Sequence, residues 1–218
     1  MPAKKKQVTA EAIIEAYMNA VLEHEREPKS VYKFAKEHKM KEADFYKHFG
    51  SFDAVRQAIW NHFHDHTMEL IQKHGDYHTY ETREKLLTYF YTMFEMLTAN
   101  RSYVLMTLDK YKHEYKQDKS EFKGLRRRVV AFGKLLVEED NIKKDRRYLM
   151  QNERLFGEAV SLQLMLLVRF WANDNSAGFE QTDVAIEKSV NTAFEVFDTT
   201  PINKLVDLGK FLYQSNRA

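Results

Sequence analysis

The sequence predicts an all-α protein with a small three-helix domain followed by a larger helical one. Three observations carry that reading. Prolines fall at positions 2, 28 and 201 and the seven glycines are scattered, so nothing between Pro28 and Pro201 forbids long helices. Apolar residues recur at spacings of three and four, and no β-type alternation or fixed-period repeat persists. The pair Gly50-Ser51 then breaks the chain after a run of short helical patterns, which sets the domains at 1–50 and 51–218.

In chain order, Thr9 to Glu23 carries Ile13, Ile14, Tyr17, Val21 and Leu22 at helical spacing. Ser30, just after Pro28, suits an N-cap, and Val31, Phe34, Ala35 and His38 form one face of a short helix, with Lys33, Lys36 and Glu37 outside it. Met40, Ala43, Phe45 and Phe49 are expected to face back onto that helix, leaving Lys41, Glu42, Asp44, Lys47 and His48 nearer solvent. Two short helices across a tight break are what a helix-turn-helix requires, because the second must present a polar face to the major groove of double-stranded DNA. Ser51 caps the next helix, in which Val55, Ile59, Phe63, Leu70 and Ile71 continue a periodic run to Gly75.

The ending Phe45-Tyr46-Lys47-His48-Phe49, followed by Ser51-Phe52-Asp53-Ala54-Val55, resembles the N-terminal domain of the TetR family of bacterial transcriptional regulators. The resemblance covers roughly the first quarter of the chain. It implies a DNA-binding domain followed by a larger helical ligand-binding and dimerisation domain. It also implies that Tyr46 and Lys47 touch phosphates, that Lys41, Glu42 and Ala43 approach base edges, and that Ser30 caps the preceding helix beside the DNA backbone. The family usually has an alanine-glycine pair in the turn. Here that place reads His38-Lys39, which puts Lys39 in a left-handed position costing a non-glycine residue about 1 kcal/mol. Asp44 stands where a small hydroxyl residue is common, and Glu42 adds a second carboxylate to the presented side. Carboxylates repel phosphates, although one can accept from a cytosine amino group.

Residues 1 to 50 hold ten Lys or Arg against eight Asp or Glu, so the domain is not strongly basic overall. The distribution is more telling. Lys4, Lys5 and Lys6 form a basic arm, while Lys29, Lys33, Lys36, Lys39, Lys41 and Lys47 surround the turn, where they can reach phosphates. Over the whole chain, 44% hydrophobic and 30% charged residues are ordinary globular composition. Cysteine is absent, which excludes disulfides, a thiol nucleophile and cysteine metal sites, and Met1-Pro2-Ala3-Lys4-Lys5-Lys6 has no apolar signal core. A cytoplasmic protein is expected.

Further helices are predicted at about Glu81 to Ala99, Ser102 to Tyr115, Ser120 to Glu138, Arg147 to Asn173, Thr182 to Asp198 and Pro201 to Gln214. The most apolar stretch, Ala159 to Trp171, is interrupted by Gln163 and Arg169 and falls short of the about 20 apolar residues a bilayer requires, so no membrane insertion is expected. Val160, Leu164, Leu167 and Trp171 make one stripe, and Leu162, Leu166 and Phe170 make another. One serves the subunit core and the other a partner. With Val190 and Phe194 from the helix that follows, Leu162, Leu166 and Phe170 are the expected dimer interface. In the resembling family the last long helices pair about a two-fold axis, which places two recognition helices on half-sites about 34 Å apart or a multiple of it.

The middle of the chain is rich in large deformable side chains. Tyr89, Phe90, Met93, Phe94, Tyr103, Met106, Phe122 and Phe132 are candidates to line a pocket for an unknown apolar small-molecule effector, and equally able to be plain core. His62 and His66 lie one turn apart, but no third ligand is identifiable and no metal is assigned. Asp109 and His113, one turn apart with Glu114 close by, read as a surface ion pair. There is no glycine-rich phosphate loop, G-x-S-x-G or H-E-x-x-H, so neither catalysis nor a cofactor is expected.

Two functions remain. The first is a homodimeric, ligand-responsive regulator binding a palindromic operator. The second is a TetR-fold lipid- or small-molecule-binding protein that has lost sequence-specific DNA binding, similar to the lipid-binding protein of coenzyme Q biosynthesis.

Overall fold

The computed structural model describes residues 8–113, 119–143 and 153–199. The expected helix from Pro201 to Gln214 and the start of the one from Arg147 lie outside them, as do the side chains of Asp109 and His113. The chain is all-α, with α1 (Ala10–His24), α2 (Val31–Glu37), α3 (Glu42–Tyr46), α4 (Phe52–Lys73), α5 (Thr82–Ala99), α6 (Arg101–His113), α7 (Lys123–Lys143), α8 (Glu153–Ala172) and α9 (Glu180–Thr199). No strand occurs among the described residues. The helix expected from Ser120 starts later, at Lys123, because Lys119–Phe122 winds as a 3-10 turn first.

The chain divides into two compact units, residues 1–65 with 96–125 and residues 66–95 with 126–218. In the first, the caps fix where helices start. Thr9 accepts from Ala12 N at 3.2 Å, Ser30 from Lys33 N at 3.3 Å and Ser51 from Ala54 N at 3.2 Å. The buried stripe of α1 is Ile13, Tyr17, Ala20 and Val21, and the Tyr17 ring meets Phe34 of α2 at 6.4 Å and Phe52 of α4 at 5.4 Å. Phe34, Phe45 and Phe52 pack edge to face with centroids 5.5–6.0 Å apart. Truncating a buried ring such as Phe34 or Phe45 costs about 3–5 kcal/mol, so this cluster contributes substantially to the first unit.

In the second unit, α5 buries Leu86, Tyr89, Phe90, Met93 and Phe94. The helices α7 and α8 approach until an added Cβ on Gly133 would lie 2.9 Å from Gly157 Cα, and one on Gly157 2.5 Å from Val130 O. Only residues without a Cβ allow that approach. Asp174 ties the entry to α9, accepting from Ser176 N at 2.9 Å, Thr182 N at 2.9 Å and Thr182 Oγ1 at 2.7 Å. By length and composition α8 is the one described helix able to cross a membrane, since it runs 20 residues rather than ending at the apolar stretch. Its Phe156, Val160, Leu164, Leu167 and Trp171 are nevertheless buried within the unit, as in a core helix.

Candidate nucleic-acid interface

The short third helix owes its orientation to three inward aromatic and alanine anchors, Phe34, Ala35 and Phe45, with Phe49 completing the hold just beyond it. Everything else on α3 is thereby turned outward. Lys41, at the N-cap, makes no side-chain capping bond, and it is exposed together with Glu42 and Ala43. Ala43 was expected on the inward face. With Phe45 and Phe49 filling that face, there is no place for it there, and a methyl group carries too little apolar area to compete. The side chain of Tyr46 is 52% exposed although its ring rests edge-on against Phe45 at 5.5 Å. Lys33 projects from α2, and Ser30 is taken up by its cap.

The turn has the geometry its sequence implies. Lys39 holds φ 54°, and Met40 N donates to Ala35 O at 2.9 Å across it. Lys39 is exposed, so the strained backbone presents its ammonium to solvent beside α3.

Two contacts qualify the interface. Lys47 donates to Asp44 Oδ1 at 2.7 Å, and this bond holds the Asp44 carboxyl below its usual range. The cation expected from the sequence to touch a phosphate is therefore engaged within its own helix end. His48 does not point freely outward: its Nε2 lies 2.9 Å from Val8 O, and since a carbonyl only accepts, that nitrogen carries the proton. His48 thus anchors the chain ahead of α1.

Sequence reasoning missed the group that fixes the approach to α2. Arg56 of α4 donates through Nη1 to Glu27 at 2.7 Å and through Nε to Glu121 at 3.1 Å, and its Nη2 meets Asp53. Glu27 lies in the segment leading into α2, so this guanidinium clamps that segment to α4. The partners stand 29 and 65 residues away in sequence, beyond the reach of any local pattern.

The second surface feature is apolar. Leu162, Leu166 and Phe170 are 61%, 59% and 44% exposed, and with Ala159, Ala185, Ala193 and Val196 they line a groove of about 640 Å³ between α8 and α9. Val190 does not take part. It is fully buried, on the same side of α9 as Ile186, because a four-residue step keeps both on the inward stripe. Phe194 is half-buried against the Phe156 ring at 5.7 Å.

The eight aromatic and methionine candidates do not line one cavity. Tyr89 stacks on Phe132 at 4.6 Å, Phe94 meets Trp171 at 6.2 Å, Met93 accepts from Thr67 Oγ1 at 3.4 Å, and Phe90 is fully buried beside Tyr89. In the first unit Phe122 packs on Trp60 at 4.8 Å, while Tyr103 and Met106 line a separate cavity of about 490 Å³.

Residues 85–212 match the family model described as Tetracyclin repressor-like, C-terminal domain. That is more than half of the chain. The chain belongs to the TetR family. The match begins inside α5 and extends past α9, so it covers the helices carrying the apolar groove and stops short of α1 to α4. Membership in a family of regulators agrees with the all-α fold, and α1 to α3 stand where the TetR helix-turn-helix is expected from the sequence. No curated protein matches the chain.

Proposed function

We propose that this TetR-family protein is a cytoplasmic, ligand-responsive transcriptional regulator that binds a palindromic operator as a homodimer through α3. The observation that carries the reading is the outward set Lys41, Glu42, Ala43, Tyr46 and Lys47 on a helix held from behind by Phe34, Phe45 and Phe49. Lys33 on α2 and Lys39 in the turn stand ready for phosphates. A two-fold axis through the α8–α9 groove covers Leu162, Leu166 and Phe170, and symmetric pairing of these helices supplies two recognition helices for two half-sites. An apolar effector whose binding changes the separation of the recognition helices would link effector and operator affinities reciprocally.

One observation favours a second reading, a TetR-fold small-molecule-binding protein without operator recognition. Glu42 is exposed on the presented face, and Asp44 holds Lys47. Selection from random duplex DNA at moderate salt separates the two. The regulator yields an enriched palindrome, and a pool that stays random after several rounds leaves the second reading.

A further inference from the structure

Glu42 begins α3 on its outward side. It is exposed, it makes no ion pair among the described residues, and Tyr46, one turn later and 52% exposed, lies on the same face. Phe45 and Phe49 are held inward, so rotation of the helix cannot turn Glu42 away. The other carboxylate of the helix is differently placed. Asp44 accepts from Lys47 Nζ at 2.7 Å and so carries its counter-charge with it. Glu42 is therefore the uncompensated negative charge that α3 would bring to a duplex.

A carboxylate taken into a groove between phosphates loses water and gains repulsion, and only a hydrogen-bond donor offsets that cost. Residues at the N-terminal end of a recognition helix are the ones that reach base edges, and Glu42 has that position. In the major groove the donors are the amino groups at cytosine N4 and adenine N6. The two are not equivalent for a carboxylate. Adenine carries its N7 acceptor beside the amino group, and N7 repels the second carboxylate oxygen, whereas cytosine has a C5 hydrogen there. Guanine and thymine present only acceptors, O6 with N7 and O4 respectively, and repel a carboxylate.

We infer that Glu42 is a specificity-determining residue that reads one cytosine in each operator half-site, its carboxylate accepting from the N4 amino group. The inference rests on the operator reading above. Lys41, exposed beside Glu42 and making no capping bond, offsets its charge towards the phosphates. The carboxylate then selects chiefly by rejection, since any other base at that position leaves it without a suitable donor or facing an acceptor.

The test starts from the palindrome that the unaltered full chain selects out of random duplex DNA. Each cytosine–guanine pair of the half-site is changed in turn, symmetrically, to thymine–adenine, and affinities are measured for the unaltered chain, Glu42→Gln and Glu42→Ala. Ratios between duplexes are taken within each variant, so a change in folding cancels. At one cytosine position, thymine is expected to weaken the unaltered chain about tenfold or more. Glu42→Gln cuts that penalty below about threefold, because its amide also has an N–H for thymine O4, and Glu42→Ala loses the preference at that position alone. An enriched palindrome whose cytosine–thymine ratios are the same in all three proteins would overturn the inference and leave operator binding standing. A pool with no enriched palindrome would overturn both.

Discussion

Lys39 sits in a backbone conformation that penalises a side chain, and it does so next to α3, the proposed recognition helix. Removing the side chain relieves about 1 kcal/mol of strain, offset in part by the extra freedom glycine gives the unfolded chain. Lys39→Gly is therefore expected to raise stability by about 0.5 kcal/mol in urea unfolding while weakening duplex binding. A loss of stability would mean the lysine side chain makes a contribution larger than its strain. Asp44 gives a sharper expectation. Because it holds Lys47, Asp44→Ala should release that ammonium, tighten duplex binding by about threefold and steepen its salt dependence, seen by fluorescence anisotropy across a salt series. Residues of this kind were legible in sequence where one strong preference decides them: Phe34, Phe45 and Phe49 had to be inside, and Ser30 had to cap. Ala43 was misplaced because alanine has little to gain on either face, and Arg56 was invisible because its partners are distant in sequence.

At the scale of elements, the packing of α7 on α8 depends on Gly133 and Gly157. Gly157→Ala would push a methyl into Val130 O. Even after the about 1 kcal/mol that alanine gains over glycine in a helix, a net loss of roughly 1–2 kcal/mol is expected from denaturant unfolding. The entry to α9 is sensitive to acid instead. Hydrogen bonds from Ser176 and Thr182 bring the Asp174 carboxyl down from 3.8 to about 2. A depressed carboxylate stabilises the fold above its unfolded-state value, and that contribution fades as pH falls from near 4 towards 2. Asp174→Asn should flatten the acid limb of a Tm-against-pH curve in that window. The two stripes of α8 were readable from the 3.6-residue period and match its buried and exposed faces. The outward face of α9 was not, because its exposed Val184 and Val196 are separated by Ala185, Lys188, Ser189, Thr192 and Ala193 and make no continuous stripe, while Val190 completes the inward one.

For the whole molecule, family membership rests on residues 85–212, whereas the expectation of DNA binding rests on α1 to α3, outside that match. The sequence resemblance and the family match thus support one another from opposite ends of the chain. Homodimerisation through the α8–α9 groove predicts that Leu166→Glu, at an exposed position where the monomer fold tolerates charge, yields monomers by analytical ultracentrifugation and lowers apparent operator affinity. A dimer unchanged by Leu166→Glu together with Phe170→Glu would place the two-fold elsewhere. The aromatic middle was the least legible part, since the same rings suit a cavity or a packed core, and Tyr89, Phe90, Met93 and Phe94 are buried against neighbours. The proposed recognition of duplex DNA by α3 can be measured on its own. Its most direct measurement is the salt dependence of binding to a selected palindromic duplex by the unaltered chain, Tyr46→Ala and Lys47→Ala. Tight binding to the palindrome over a scrambled duplex is expected, with weaker binding by both variants and a log–log salt slope shallower for Lys47→Ala by less than the about 0.9 of a full phosphate contact, because Asp44 shares its ammonium. Equal affinity for the scrambled duplex, with neither variant altering affinity or slope, would contradict it.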